Sequence, residues 1–161
     1  MKETQPVIGD LAPDFKLTQG DGIEFCLSEA CKKKPVVMIF YPGDFTPVCT
    51  KQLCDYQDNF ESFKQWNVQL LGLSKDSTEK HKSFSDKYGF SFPLVTDTKN
   101  KVAKAYGCTS SYMFGWVSRA VCIVGKDRKL IYRHVEPVPV TRRTSEQLIK
   151  ALEELKLKGL I

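Results

Sequence analysis

Cys49 and Cys54, five positions apart, are the residues of this chain whose type and setting best suit chemistry. Cys49 stands in the segment Tyr41-Pro42-Gly43-Asp44-Phe45-Thr46-Pro47-Val48-Cys49-Thr50, directly after the apolar run Pro35-Val36-Val37-Met38-Ile39-Phe40. Thr46 reads as a helix N-cap and Pro47 as N1, where the missing N–H costs nothing. Cys49 then falls at N3. A thiol there faces unpaired backbone donors and the positive end of the helix dipole, which favour thiolate over thiol. The thiolate is both nucleophile and reductant, so this placement predicts redox or nucleophilic chemistry.

The spacing to Cys54 adds a constraint. In an intact helix a five-residue step rises about 7.5 Å and rotates about 140°, leaving the two Cα atoms roughly 8.7 Å apart. A disulfide needs less than about 7 Å. If these two cysteines pair, segment 47–54 has to unwind first, whereas a C-x-x-C pair bridges without melting its helix.

The other cysteines give weaker signals. Cys26/Cys31 repeats the C-x4-C spacing, but no matching Cys/His pair completes a tetrahedron, so no metal site is expected. His81 and His134 lie in different elements, neither with a ligand partner nearby in sequence. Cys26 and Cys122 sit in strand contexts and read as small buried hydrophobes. Cys31, ahead of Lys32-Lys33-Lys34, reads as exposed, and Cys108 follows a helix-ending glycine; both read as incidental thiols.

These residues need a scaffold, and 161 residues suffice for one domain with a continuous core, spanning 1–161. The 42% hydrophobic and 27% charged content is that of an ordinary globular protein. No apolar run approaches the roughly 20 residues of a bilayer span, and the N-terminus has no apolar signal core. A cytoplasmic location with reduced thiols is the expectation. The net charge of +5 is modest, and the basic residues form short runs without interleaved aromatics, which argues against nucleic-acid binding.

The predicted elements run β-β-β-α-β-α-β-α-β-β-α. Residues 12–17 and 22–27 alternate around Gln19-Gly20-Asp21-Gly22 and predict a hairpin. A buried strand over 35–41 leads into a helix from Pro47 to Gln65. Val68–Ser74 is a second buried strand. Thr78–Tyr88 is a helix opened by Ser77 or Thr78 and closed by Gly89. Phe92–Val95 is a short strand that Pro93 places near an edge. Lys101–Tyr106 is a short helix closed by Gly107. Residues 120–124 and 129–134 form a second hairpin, and Ser145–Leu157 a final amphipathic helix. This order implies an α/β fold with parallel crossovers and a terminal antiparallel hairpin.

The string Tyr41-Pro42-x-x-x-Thr46-Pro47-x-Cys49-Thr50-x-Gln52-x-Cys54 resembles the active-site signature of the peroxiredoxins, of the AhpC/TSA superfamily. The second cysteine five positions on is similar to the Q type, also called bacterioferritin comigratory protein. The likeness continues through Gly9-Asp10-x-Ala12-Pro13-Asp14-Phe15, Leu71-Gly72-Leu73-Ser74, Phe92-Pro93-Leu94-Val95-x-Asp97, Lys101-Val102-Ala103-x-x-Tyr106-Gly107 and Arg119. It implies a thioredoxin-like fold, with a central mixed β-sheet flanked by helices and an N-terminal hairpin. It also implies a thiol peroxidase without cofactor or metal, acting on hydrogen peroxide and organic hydroperoxides. Cys49 would become a sulfenic acid, Cys54 would resolve it as a disulfide, and thioredoxin or a similar dithiol would reduce that. Thr46 and Arg119 would orient the peroxide and Pro42 would shield the sulfenate, with no histidine serving as base. The resemblance implies a monomer rather than an oligomer. Segments 108–117 and 136–140 depart from the family pattern.

Other classes fit less well. A thiol–disulfide exchange protein or redox sensor signalling to a partner is the alternative, and the missing C-x-x-C counts against it. A non-catalytic thioredoxin-fold binding module would need no activated thiol. A cysteine protease lacks a recognisable histidine partner. Cys108 is a competitor to Cys54 as the resolving thiol.

Overall fold

The computed structural model describes residues 5–110, 116–138 and 141–161. Segments 111–115 and 139–140, where the family pattern is broken in part, lie outside the described residues. In chain order the elements are β1 (Lys16–Thr18), β2 (Glu24–Cys26), α1 (Leu27–Cys31), β3 (Val36–Phe40), α2 (Pro47–Asp58), α3 (Phe60–Gln65), β4 (Gln69–Ser74) and α4 (Thr78–Tyr88). They continue with β5 (Leu94–Thr96), α5 (Lys101–Ala105), β6 (Thr109–Ser110), β7 (Trp116–Val117), β8 (Ala120–Val124), β9 (Leu130–Val135) and α6 (Ser145–Leu157).

A five-stranded sheet in the order β5-β4-β3-β8-β9 forms the centre. β3, β4 and β5 run parallel, and β8 and β9 antiparallel to their neighbours. β1 and β2 make the N-terminal hairpin, with Leu17 opposite Phe25. Its ladder is shorter than the sequence pattern suggests, because residues 12–15 do not join it and Leu27 starts α1 instead. Helices on both faces of the sheet explain why β3 reads as an unbroken apolar run. Strand periodicity divides it. Val37, Ile39 and Tyr41 pack with α2, α3, α4 and α6, whereas Val36, Met38 and Phe40 pack with α1 and α5.

The helix expected over 47–65 is two helices. Asn59 breaks it (φ −108°, ψ 17°), its side-chain amide donating to the Asp55 carbonyl at 2.9 Å. α4 ends as its residues dictate. Ser77 accepts from the Lys80 N–H, and Gly89 closes the helix at φ +67°. α6 opens with a reciprocal capping box between Thr144 and Gln147. Cys31, expected at the surface, is buried at the end of α1, because that unpredicted helix turns it onto the sheet. No described helix is long and apolar enough to cross a membrane.

Candidate active site

The register of the sheet assembles the site. Phe40, the last residue of β3, faces Ala120, the first of β8. The loop leaving β3 therefore starts beside Arg119, which enters β8. That loop, residues 41–46, carries Pro42 and Thr46 and feeds α2, whose first turn holds Cys49. Arg119 Nη2 donates to Cys49 Sγ at 3.4 Å. Cys49 is fully buried and Arg119 nearly so. At this separation, in a site shielded from water, the guanidinium stabilises negative charge on sulfur.

Thr46 occupies the N-cap and Pro47 N1, as the sequence predicts, with Thr46 extended (φ −77°, ψ 147°). Its hydroxyl does not cap. It donates to the Gly43 carbonyl at 2.8 Å. The first-turn N–H groups of α2 are thereby left without that side-chain acceptor, and the Thr46 oxygen keeps its acceptor lone pairs. Pro42, half-buried, begins the same loop. Cys49, Thr46, Pro42 and Arg119 thus converge at one end of β3.

Cys54 stands apart from them, farther along the same unbroken helix and half-buried against the apolar cluster of that face. Burial, with Asp58 nearby, raises its thiol above the ordinary range. Directly beyond Cys54 the helix is clamped. The Asp55 carboxylate accepts from the Ser145 N–H and hydroxyl, both at 2.8 Å, and pairs with Arg142 at 3.3 Å. Tyr56 donates to the Arg143 carbonyl while accepting from Gln52. Cys108, the competing resolving thiol, lies on the opposite face of the sheet from Cys49.

One part of the site has no signature in the sequence, which leads to no histidine near the nucleophile. His81 of α4 is nevertheless fully buried against the 41–46 loop. Its Nδ1 lies 2.6 Å from Asp44 Oδ2, and Tyr41 donates to Asp44 Oδ1 at 2.6 Å. The Asp44 N–H donates to Asp76 Oδ2 at 2.6 Å. Burial and the Asp44 charge hold the Tyr41 phenol far above its ordinary value, so it is a neutral donor. Gly72 makes room for Leu94 and Tyr41, since a Cβ there would come within 2.6 Å of Leu94 Cδ2 and 3.3 Å of the Tyr41 ring. The histidine is spent on the loop, not on Cys49. No local pattern announces this trio, because His81 joins Tyr41 and Asp44 through the packing of α4. Phe45 completes the loop with φ +63°, unusual for an aromatic residue, its ring stacked on Phe84 at 4.9 Å.

No group of three or more metal-ligating side chains occurs among the described residues.

Comparison with known proteins agrees with this arrangement. Residues 8–133 match the AhpC/TSA family. "Peroxiredoxin Q, chloroplastic" of Sedum lineare is 36% identical over 151 residues, covering 92% of this chain and 78% of the relative. Peroxiredoxin Bcp of Bacillus subtilis is 34% identical over 158 residues, covering 92% of this chain and 94% of the relative. A chloroplastic peroxiredoxin Q from Triticum aestivum is 43% identical, but the match spans about half of that relative (48%). Among solved structures, a cysteine-to-serine mutant of PrxQ from Xylella fastidiosa superposes with TM-score 0.80 at 25% identity, covering 98% of this chain and 99% of that one. Peroxidoxin BcpB of Mycobacterium tuberculosis gives 0.81 at 28% identity, covering 95% and 98%. By the family match over residues 8–133 and by these relatives, the chain belongs to the AhpC/TSA family of thiol peroxidases, in its peroxiredoxin Q and Bcp branch.

Proposed function

We propose that the protein is an atypical two-cysteine peroxidase in which Cys49 reduces hydrogen peroxide and organic hydroperoxides. The observation that carries this reading is the 3.4 Å contact from Arg119 Nη2 to Cys49 Sγ at the start of α2. The Cys49 thiolate attacks the terminal peroxide oxygen. An S–O bond forms as the O–O bond breaks, and the departing oxygen leaves as water or alcohol once protonated. Arg119 and the Thr46 oxygen hold the peroxide in line and stabilise the charge that develops on the leaving oxygen. Pro42 limits water at the resulting sulfenic acid.

In the second step Cys54 sulfur attacks the sulfenic sulfur, the S–O bond breaks, water leaves and the Cys49–Cys54 disulfide forms. Segment 47–54 unwinds for this, and the Asp55 and Tyr56 clamps mark where unwinding stops. A dithiol such as thioredoxin then reduces the bridge. Full burial of Cys49 supports a small oxidant and counts against direct exchange with a protein disulfide. The six cysteines, all free, suit a reducing cytoplasmic setting. We read residues 1–161 as a single domain that acts as a monomer, without cofactor.

The test is peroxide consumption with thioredoxin, thioredoxin reductase and NADPH. Cys49→Ser abolishes turnover on this reading. Full activity in that variant would overturn it.

A further inference from the structure

A close pair of thiols lies on the face of the sheet away from Cys49. Cys108 Sγ and Cys122 Sγ are 3.8 Å apart, and neither is exposed. Cys122 lies at the middle of β8, opposite Met38 of β3, and Cys108 precedes β6. We infer that Cys108 and Cys122 form a second dithiol–disulfide couple, oxidised by peroxide independently of Cys49 and Cys54.

Three observations support closure. The sulfurs are already in contact, and a bond of about 2.05 Å requires each to move by less than one ångström. Bond formation also leaves little unsatisfied. The Cys108 thiol donates weakly to the Tyr106 carbonyl at 3.6 Å, and that carbonyl also accepts from Arg133 at 3.4 Å. The surroundings, Met38, Val117 and Tyr106 among them, are mainly apolar and suit an uncharged disulfide better than a thiolate. The neighbouring sulfur and burial hold Cys122 far above the ordinary thiol range. The pair is therefore slow to react and answers sustained peroxide rather than the first molecule.

The chemistry balances with one hydrogen peroxide. One sulfur attacks an oxygen, forming S–O as O–O breaks, and the released hydroxide takes the thiol proton to become water. The other sulfur then attacks the sulfenic sulfur, S–S forms, and the second oxygen leaves as water with the remaining proton. The two sulfurs together lose two electrons, and a dithiol restores them. The bridge spans Arg119. The Ser118 N–H donates to the Cys108 carbonyl at 2.9 Å, and Cys122 lies three positions beyond Arg119. Oxidation would fasten both sides of that residue.

The test uses the full chain carrying Cys49→Ser and Cys54→Ser, so its outcome does not depend on the peroxidase reading. The reduced variant is treated with hydrogen peroxide until half of the more accessible Cys26 thiol is consumed. It is then alkylated in denaturant and mapped without reduction by peptide mass spectrometry. The expected product is a Cys108–Cys122 peptide, reversed by dithiothreitol and absent when Cys122→Ala is added. The wild-type chain, mapped alongside, should show the same peptide, which covers a folding defect in the variant. Recovery of both residues as alkylated thiols overturns the inference. So does their conversion to separate sulfinic acids, or a bridge from either to Cys26 or Cys31.

Discussion

Arg119 and Cys49, seventy positions apart in sequence, are joined by a 3.4 Å contact from guanidinium to sulfur that the β3–β8 register enforces. Because Phe40 pairs with Ala120, neither residue can shift without moving the central strands. Arg119→Met keeps much of the side-chain volume but loses the donors and the charge. Its second-order rate with hydrogen peroxide should fall by about 10²–10³, the usual loss when one donor to a developing oxyanion is removed. Stopped-flow tryptophan fluorescence checks this. A variant within twofold of wild type would assign Arg119 a structural part only.

Cys54→Ser separates the two chemical steps. The first turnover should proceed at the wild-type rate, since Cys54 lies outside the Cys49 cluster. Steady-state turnover with thioredoxin should fall at least tenfold, and the sulfenic acid should accumulate and proceed to sulfinic acid. Trapping with a sulfenate-specific reagent and intact-mass measurement distinguish these fates. A variant with normal turnover would show that another thiol resolves Cys49.

Amide exchange should report the helix opening that the bridge requires. On oxidation, residues 47–54 of the wild-type chain should lose protection, because helical geometry keeps the Cα atoms about 8.7 Å apart. Residues beyond Asp55 should keep theirs, held by Ser145, Arg142 and Arg143. In Asp55→Ala the exchange boundary should move toward Asn59, and resolution should quicken. Unchanged exchange at 47–54 in a mass-confirmed disulfide form would contradict the unwinding scheme.

The contrast between these sites shows what the chain reveals by reading alone. α4 and α6 were visible at their ends, because Ser77, Gly89 and the apolar face of 145–157 carry local signals. So was Cys49 at N3, since Thr46-Pro47 marks a helix start. The break at Asn59 was hidden because the pattern 47–65 is continuous in character, and a side-chain bond to Asp55 decides it. The same limit concealed α1 and the burial of Cys31. His81 was invisible as a partner of Asp44 because nothing within a few residues of either announces the other. Contacts made by chain crossover have no local signature, whereas caps and periodic faces do.

The Asp44–His81 pair should be structural first and kinetic second. Both side chains are wholly buried, and removing His81 leaves a cavity and takes the partner from Asp44 Oδ2, with Tyr41 still donating to Oδ1. His81→Ala should therefore cost about 3–5 kcal/mol of stability by urea unfolding, from the buried ring volume and the lost hydrogen bond. Asp44→Asn keeps the shape of the loop and should cost less. It should also slow the peroxide step, because Asp44 fixes the turn that aims the Gly43 carbonyl at Thr46. A variant with wild-type stability and rate would show that the loop holds without the pair.

Alkaline pH should weaken the reduced fold through its buried acid groups. Burial lifts the acid groups of Tyr41 and Tyr56 above their ordinary values, and the Cys108 sulfur together with burial does the same for Cys122. In the folded state they stay protonated where the unfolded chain has already released its protons. Stability is thus fully present below the unfolded values, about pH 8.5 for the thiol and about pH 10 for the phenols. It is lost as pH rises from there toward the folded values, by about 1.4 kcal/mol per pH unit for each group. Urea unfolding in reductant between pH 7 and pH 10 should show the decline beginning in the thiol range. Cys122→Ala should start less stable at pH 7, having lost core volume, yet fall less steeply up to pH 10. Equal slopes in the two proteins would mean that Cys122 ionises in the folded chain as readily as in the unfolded one, against its burial beside Cys108.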